Sequence, residues 1–282
     1  MPFQAGFYYS LHEGGKKDQK PVILIHGAGS SHLIWPAEIR RLIGHTVIAL
    51  DLPGHGRSNG VGIQSVGDYT AAIIEFLAAA HIFQAAFVGH SLGGAIALQM
   101  ALDFPQHVIG IGVLSAGASF NLPAELITYL SSASTASAGY QILQERLGYA
   151  GSPQTVAAAG FKAMTTARPS VLYGDWLACS RFDLHDQVAR INTPAFVACG
   201  QEDQLTLPAQ AHYLSTNLPI ARLEMIRSAG HLLPFEQPIA LAAGLQRFLD
   251  DLLTWHAQFP LHSDFPQETT SVTRPKNSNR PE

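Results

Sequence analysis

The stretch AAFVGHSLGGAIALQMA, residues 85–101, sets one serine, Ser91, between Gly89 and Gly93 where a short apolar run gives way to a helical pattern. A tight turn would explain the glycines but not a polar residue between two buried elements. Gly89-His90-Ser91-Leu92-Gly93 fits the G-x-S-x-G pattern, whose serine sits on a sharp strand-to-helix turn with its hydroxyl presented at the top of a sheet. Side chains at the flanking positions would collide with the strand and helix, so glycine is demanded there. The start of the following helix adds free N–H groups and a dipole that favour developing negative charge.

Outward from this turn, short β-branched runs alternate with longer Ala- and Leu-rich segments. Strands are expected at VILI (22–25), TVIAL (46–50), AAFVG (85–89), VIGIGVL (108–114), AFVAC (195–199) and ARLEMI (221–226). Helical patterns fall at about 33–43, 68–81, 91–104, 207–217 and 238–256. Alternation of this kind predicts an α/β fold, a mostly parallel doubly wound sheet covered on both faces. GFYYSLH (6–12) reads as an edge strand that turns antiparallel through EGGKKDQK. Between the fourth and fifth of these strands no strand pattern occurs, and Pro123, Pro153 and Pro169 punctuate Ala-, Ser- and Leu-rich sequence. Residues 118–187 therefore read as an inserted helical cap, with 1–117 and 188–256 as the core. Residues 257–282, polar, Pro-rich and aperiodic, read as a disordered tail.

Composition narrows the function. The 282 residues are 47% hydrophobic and 13% charged with a formal net charge of −4, so no basic surface points to nucleic acid. Cys179 and Cys199 are the only cysteines and form no CxxC pair, which argues against a disulfide framework or a zinc site. No metal-ligand spacing and no dinucleotide-type glycine loop occurs, so neither metal nor cofactor is expected. The N-terminus lacks a leader-like segment, and no run approaches the roughly 18 apolar residues of a membrane span. A cytoplasmic protein acting on a small molecule is the expectation.

A serine hydroxyl is a weak nucleophile until a base takes its proton. Around such an elbow the order along the chain is Ser, then Asp or Glu, then His. Of the thirteen histidines, His212, His231, His256 and His262 come late enough. His212 falls inside a predicted helix, His256 at the end of the last helix and His262 in the tail. His231 alone occupies a loop directly after a strand, in RSAGHLLPFEQP, at the carboxyl edge where open parallel sheets place their sites. Among the acids, Asp203 follows AFVAC through GQED at the same edge, whereas Asp183 and Asp186 fit the return from the cap, and Glu202 points elsewhere. Asp203 would hold the imidazole tautomer and stabilise the imidazolium. Backbone donors for an oxyanion are expected at Leu92, which follows the nucleophile, and at Ala28 in HGAG, with His26 as a brace.

HGAG, DLPGHGRS (51–58), GHSLGG, GQEDQLT and AGHLLPFEQP, in this order, make the chain similar to the α/β-hydrolase superfamily over nearly its whole length. The resemblance implies a triad of Ser91, Asp203 and His231, oxyanion donors at Ala28 and Leu92, and a cap over the pocket. It assigns no chemistry to DLPGHGRS, which reads as a structural loop. Family members that dehalogenate or open epoxides carry aspartate at the position of Ser91, so those reactions are not expected; with a mostly apolar cap, the expected reaction is hydrolysis of a small, uncharged carboxylic ester through an acyl-enzyme. Lactone or thioester hydrolysis, acyl transfer and C–C hydrolysis on the same triad are the alternatives. C–C hydrolases of the family often show a different residue at the position of His90 and a basic residue in the pocket, for which Arg146, Lys162, Arg168 and Arg181 are the candidates, though each reads as a solvated surface position. A hydrolase-fold ligand sensor is a further alternative. Trp35, Trp176 and Leu233 are the residues singled out to line the substrate pocket.

Overall fold

The structure is a computed structural model that describes residues 2–16 and 19–258. Eight strands, β1 (Phe3–Gln4), β2 (Phe7–Glu13), β3 (Val22–Ile25), β4 (Thr46–Leu50), β5 (Ala85–His90), β6 (Val108–Leu114), β7 (Ala195–Gly200) and β8 (Ala221–Ile226), form one sheet. Their spatial order is β1-β2-β4-β3-β5-β6-β7-β8. β2 pairs antiparallel with β1 and β4, and every other pair is parallel. Every residue of β3, β5, β6 and β7 is buried, which is why these strands read in sequence as unbroken apolar runs.

Helices α1 (Ala37–Arg40), α2 (Val66–Ala79) and α3 (Leu92–Asp103) connect the first parallel strands. The helix expected at 33–43 is cut short to a 3-10 turn, His32–Ile34, and the four residues of α1. Pro36 is the cause: it pushes Trp35 into an extended conformation (φ −83°, ψ 118°), and the chain restarts as helix only after it. β2 is also not the edge strand that its sequence suggested. A reversal at Ala5 and Gly6, both at positive φ, lays β1 along its outer side, and β2 reaches across to β4 instead of forming a hairpin with β3.

Between β6 and β7 the chain leaves the sheet for four helices, α4 (Ala124–Leu130), α5 (Ala136–Leu147), α6 (Gln154–Ala163) and α7 (Pro169–Arg181). Exit and return stems meet in a single antiparallel bridge, Ser119 with Asp183, beside a Leu184 N–H bond to the Ala118 carbonyl of 2.8 Å. The insertion packs on the carboxyl edge of the sheet through Leu126, Leu143, Leu147, Met164, Leu172 and Trp176, all buried in the one continuous core. After β7, α8 (Pro208–Asn217) leads to β8, and α9 (Leu233–Glu236) and α10 (Pro238–Gln258) complete the outer layer. The tail read at 257–282 begins in the last turn of α10, and its remainder lies outside the described residues. Among the described residues no helix is long and apolar enough to cross a membrane.

Candidate active site

Ser91 stands between β5 and α3 with φ 55° and ψ −118°. A non-glycine residue there carries strain of about 1–3 kcal/mol, which only a rigid surround sustains. That surround is the close approach of strand and helix. A Cβ on Gly89 would overlap the Gly93 carbonyl, and one on Gly93 would overlap the Ile25 carbonyl of the neighbouring strand. The Ser91 N–H bonds to the Leu114 carbonyl at 2.9 Å, so β6 also holds the turn.

The three side chains selected from sequence come together at this edge. His231 Nε2 lies 3.0 Å from Ser91 Oγ, and His231 Nδ1 lies 3.0 and 3.3 Å from the two carboxylate oxygens of Asp203. Asp203 is itself fixed, because its Oδ1 accepts the Leu205 and Thr206 N–H groups at 2.9 and 2.8 Å. Ser91 and His231 are fully buried and Asp203 is 2% exposed, so this chain of hydrogen bonds is closed to solvent. Cys199 is buried nearby at the end of β7 and Cys179 within α7, both as free thiols. Among the described residues no three His, Cys, Asp or Glu side chains are grouped to hold a metal ion.

The N–H groups of Ala28 and Leu92 donate to no protein acceptor among the described residues. His26 braces the first of them: its Nδ1–H donates to the Gly27 carbonyl at 2.8 Å, and its Nε2 accepts the Leu52 N–H at 3.0 Å. This neutral tautomer matches a pKa lowered to about 4 by burial and by the neighbouring His55. His90, given no role in the site by the sequence reading, serves the other side. Its Nε2–H donates to the His231 carbonyl at 2.8 Å, and burial together with His231 lowers its pKa to about 3.

DLPGHGRS carries more than turn geometry. Asp51 accepts the N–H and the Nδ1–H of His32 at 2.7 and 2.8 Å, which ties the loop to the segment after HGAG. His55 reaches the buried Asp175 of α7 at 2.8 Å. Its other nitrogen faces the Pro53 carbonyl at 3.1 Å, so both nitrogens donate. Burial opposes charge on this ring, but Asp175 outweighs it and the pKa of His55 is raised.

Asp175 and Glu236 are further carboxylates that sequence reasoning passed over. Glu236 accepts the Gly230 N–H at 2.7 Å, next to His231, and the Tyr149 N–H and Ser152 hydroxyl of the insertion at 2.6 Å each. The available signal was a lone acid inside an apolar run, YGDWL for Asp175 and LPFEQP for Glu236, which needs donors when buried. Glu202 turns to the Ala229 N–H at 3.1 Å, and Asp183 caps its own turn through His185. Trp35, Trp176 and Leu233 are buried around this edge, and the indole N–H groups of both tryptophans lack a hydrogen-bond partner among the described residues. Arg146, Lys162, Arg168 and Arg181 are all exposed.

Known proteins share this arrangement of elements. A putative carbamate hydrolase of Stutzerimonas stutzeri is 25% identical over 236 residues, 79% of this chain and 89% of its own. A thermophilic esterase superposes with a TM-score of 0.74 at 26% identity, covering 88% of this chain and 95% of that one. An N-acyl homoserine lactone degrading enzyme does so with a TM-score of 0.73 at 25% identity, covering 86% and 96%. The model of the alpha/beta hydrolase family matches residues 22–244, from β3 into α10, and with the elbow, the sheet order and the carboxyl-edge loops it leads to one assignment: the chain belongs to the alpha/beta hydrolase family.

Proposed function

We propose that the protein is a serine hydrolase that cleaves a small, uncharged carboxylic ester through an acyl-enzyme. The observation that carries the reading is the unbroken Ser91–His231–Asp203 hydrogen-bond chain on a strained elbow. His231 Nε2 takes the Ser91 proton as Oγ attacks the ester carbonyl, and Asp203 stabilises the resulting imidazolium. The oxyanion accepts the Ala28 and Leu92 N–H groups. The C–O bond breaks, and the alcohol leaves with the proton from His231. Water then attacks the acyl group, gives a proton to His231, and the carboxylic acid departs as that proton returns to Ser91 Oγ.

Closure of the site bears on access. Ser91 and His231 expose no surface, and the insertion lies against the HGAG loop beside them, which supports reading the insertion as a cap that shifts to admit substrate. The apolar side chains that the insertion buries, among them Leu147, Met164, Leu172 and Trp176, support an uncharged acyl or alcohol group. The exposed positions of Arg146, Lys162, Arg168 and Arg181 count against a C–C hydrolase that needs a pocket cation. A lactone is an internal ester open to the same steps, and the likeness to a lactone-degrading enzyme favours including lactones among the substrates tested.

The test is fluorophosphonate labelling of the purified chain, followed by turnover on p-nitrophenyl esters of graded acyl length and on acyl lactones. Labelling at Ser91 with multiple turnovers is expected. Absence of labelling overturns the reading, and one slow turnover with ligand-dependent stabilisation replaces it with a sensor.

A further inference from the structure

The helical insertion does more than cover the site, because it grips the oxyanion loop on both sides of one residue. Gly29 donates its N–H to Asp175 Oδ2 of α7 at 2.7 Å. Its carbonyl accepts the N–H groups of Thr166 and Ala167, from the connection between α6 and α7, at 3.1 and 3.0 Å. Gly29 has φ +67°, and a Cβ there would overlap Leu172 and the Met164 carbonyl, so the insertion lies directly against the loop backbone. Every one of these partners belongs to the insertion. The preceding peptide, Gly27–Ala28, whose N–H is the oxyanion donor, is held by His26. The His26 ring packs at 4.8 Å from His55, which also bonds to Asp175.

From this geometry we propose that Asp175 is a positioning residue of the oxyanion site: a carboxylate of the insertion that aims the Ala28 N–H through Gly29 and, by way of His55, through His26. The inference rests on the serine-hydrolase reading above. A wholly apolar contact would join insertion to core without burying a charge. A fully buried carboxylate with three directed partners, Gly29 N–H, His55 Nε2–H and the Tyr69 hydroxyl at 2.5 Å, instead fixes orientation. Orientation is what an oxyanion donor needs. Misplacement by about 1 Å costs roughly 100-fold in rate, and loss of one donor about 10²–10³-fold.

The test compares Asp175→Asn with wild type in the full chain, using p-nitrophenyl acetate and a trifluoromethyl ketone that adds to Ser91 as an anionic hemiketal. Expected is a loss of about 10- to 100-fold in kcat with KM within about twofold, and a parallel loss of ketone affinity, because both transition state and hemiketal use the oxyanion donors. An unchanged kcat, or a lower kcat with ketone affinity intact, overturns the proposal, since damage that is only structural does not single out the tetrahedral species. If Asp175→Asn does not fold, His55→Gln takes its place: several-fold parallel losses support the proposal, and wild-type values for both overturn it. Wild-type protein that neither labels nor turns over defeats the hydrolase reading itself. Labelling of wild type with an unaffected variant defeats only the role of Asp175.

Discussion

The Ser91 elbow and the HGAG loop lie side by side at the carboxyl edge of the sheet, yet they are held in different ways. The elbow is fixed by the core alone. Ser91 N–H bonds into β6, Gly94 N–H bonds back to the Ser91 carbonyl, and the glycines let strand and helix meet backbone to backbone. The HGAG loop is held at Gly29 by Asp175, Thr166 and Ala167, none of which belongs to the core. On the proposed mechanism, the nucleophile and the Leu92 donor are set by the core, whereas the Ala28 donor is set jointly by His26 of the core and by the insertion through Gly29, so changes in the insertion should damage catalysis differently from changes at the elbow.

The largest effect belongs to the elbow. Ser91→Ala should abolish fluorophosphonate labelling and lower kcat by about 10⁶, with little change in melting temperature. Persistent labelling of the variant would move the nucleophile elsewhere and dissolve the contrast. Asp203→Asn should lower kcat by about 10⁴ through the wrong tautomer of His231, while the exposed Asp186→Asn stays near wild type in the same assay.

Acid should loosen both regions together, because each is braced by a neutral buried histidine. In the unfolded chain His26 and His90 take up protons below about pH 6.5, but in the folded chain only near 4 and 3. The unfolded state thus binds more protons in that window, and stability falls as pH drops through it. Between pH 7 and 5 each residue should cost about 2 kcal/mol, with His55 offsetting part because its pKa is raised. Denaturant melts at the two pH values test this, and His90→Gln, which keeps a donor for the His231 carbonyl, should flatten the slope. An equal slope in the variant would show that His90 does not carry the effect.

Smaller effects sharpen the comparison. Glu236→Gln weakens the hold on Gly230 next to His231 and should lower kcat about 10-fold, with ketone affinity falling no more than kcat. A larger loss of ketone affinity would mean that Glu236 acts on the oxyanion side instead. Trp176→Ala should change the ratio of kcat/KM between acetyl and octanoyl esters only a few-fold while Ser91 still labels. An identical ratio in variant and wild type would remove Trp176 from the pocket.

Much of this was legible in sequence wherever the determining contacts are local or periodic. VILI, TVIAL and VIGIGVL coincide with β3, β4 and β6 because strands inside a parallel sheet have no polar face, and ARLEMI coincides with β8, an edge strand whose residues are largely exposed or half-buried. Ser91, Asp203 and His231 could be named because each follows a strand at the same edge. The helix at 33–43 failed where Pro36 overrode an apolar pattern, and β1, two residues long, carries no period at all. Asp175 and His90 stayed hidden for another reason. Each bonds a backbone group far along the chain, Gly29 N–H 146 residues from Asp175 and the His231 carbonyl 141 residues from His90, while His55 and Tyr69, the side-chain partners of Asp175, lie 120 and 106 residues from it, so no local spacing reveals them.

Engineering meets the same division of labour. Specificity of a capped hydrolase invites exchange of the insertion between relatives, cut at stems as close together as Ser119 and Asp183. Such a transplant keeps the sheet, the elbow and the three reacting side chains intact, and on sequence alone it should work. Here the donor segment must also bring an acid in register with Gly29, a pair of free amides for its carbonyl, and an N–H and a hydroxyl in the places of Tyr149 and Ser152 for Glu236. On the proposed mechanism, a graft chosen for its pocket but lacking those contacts would bind its substrate and turn it over slowly.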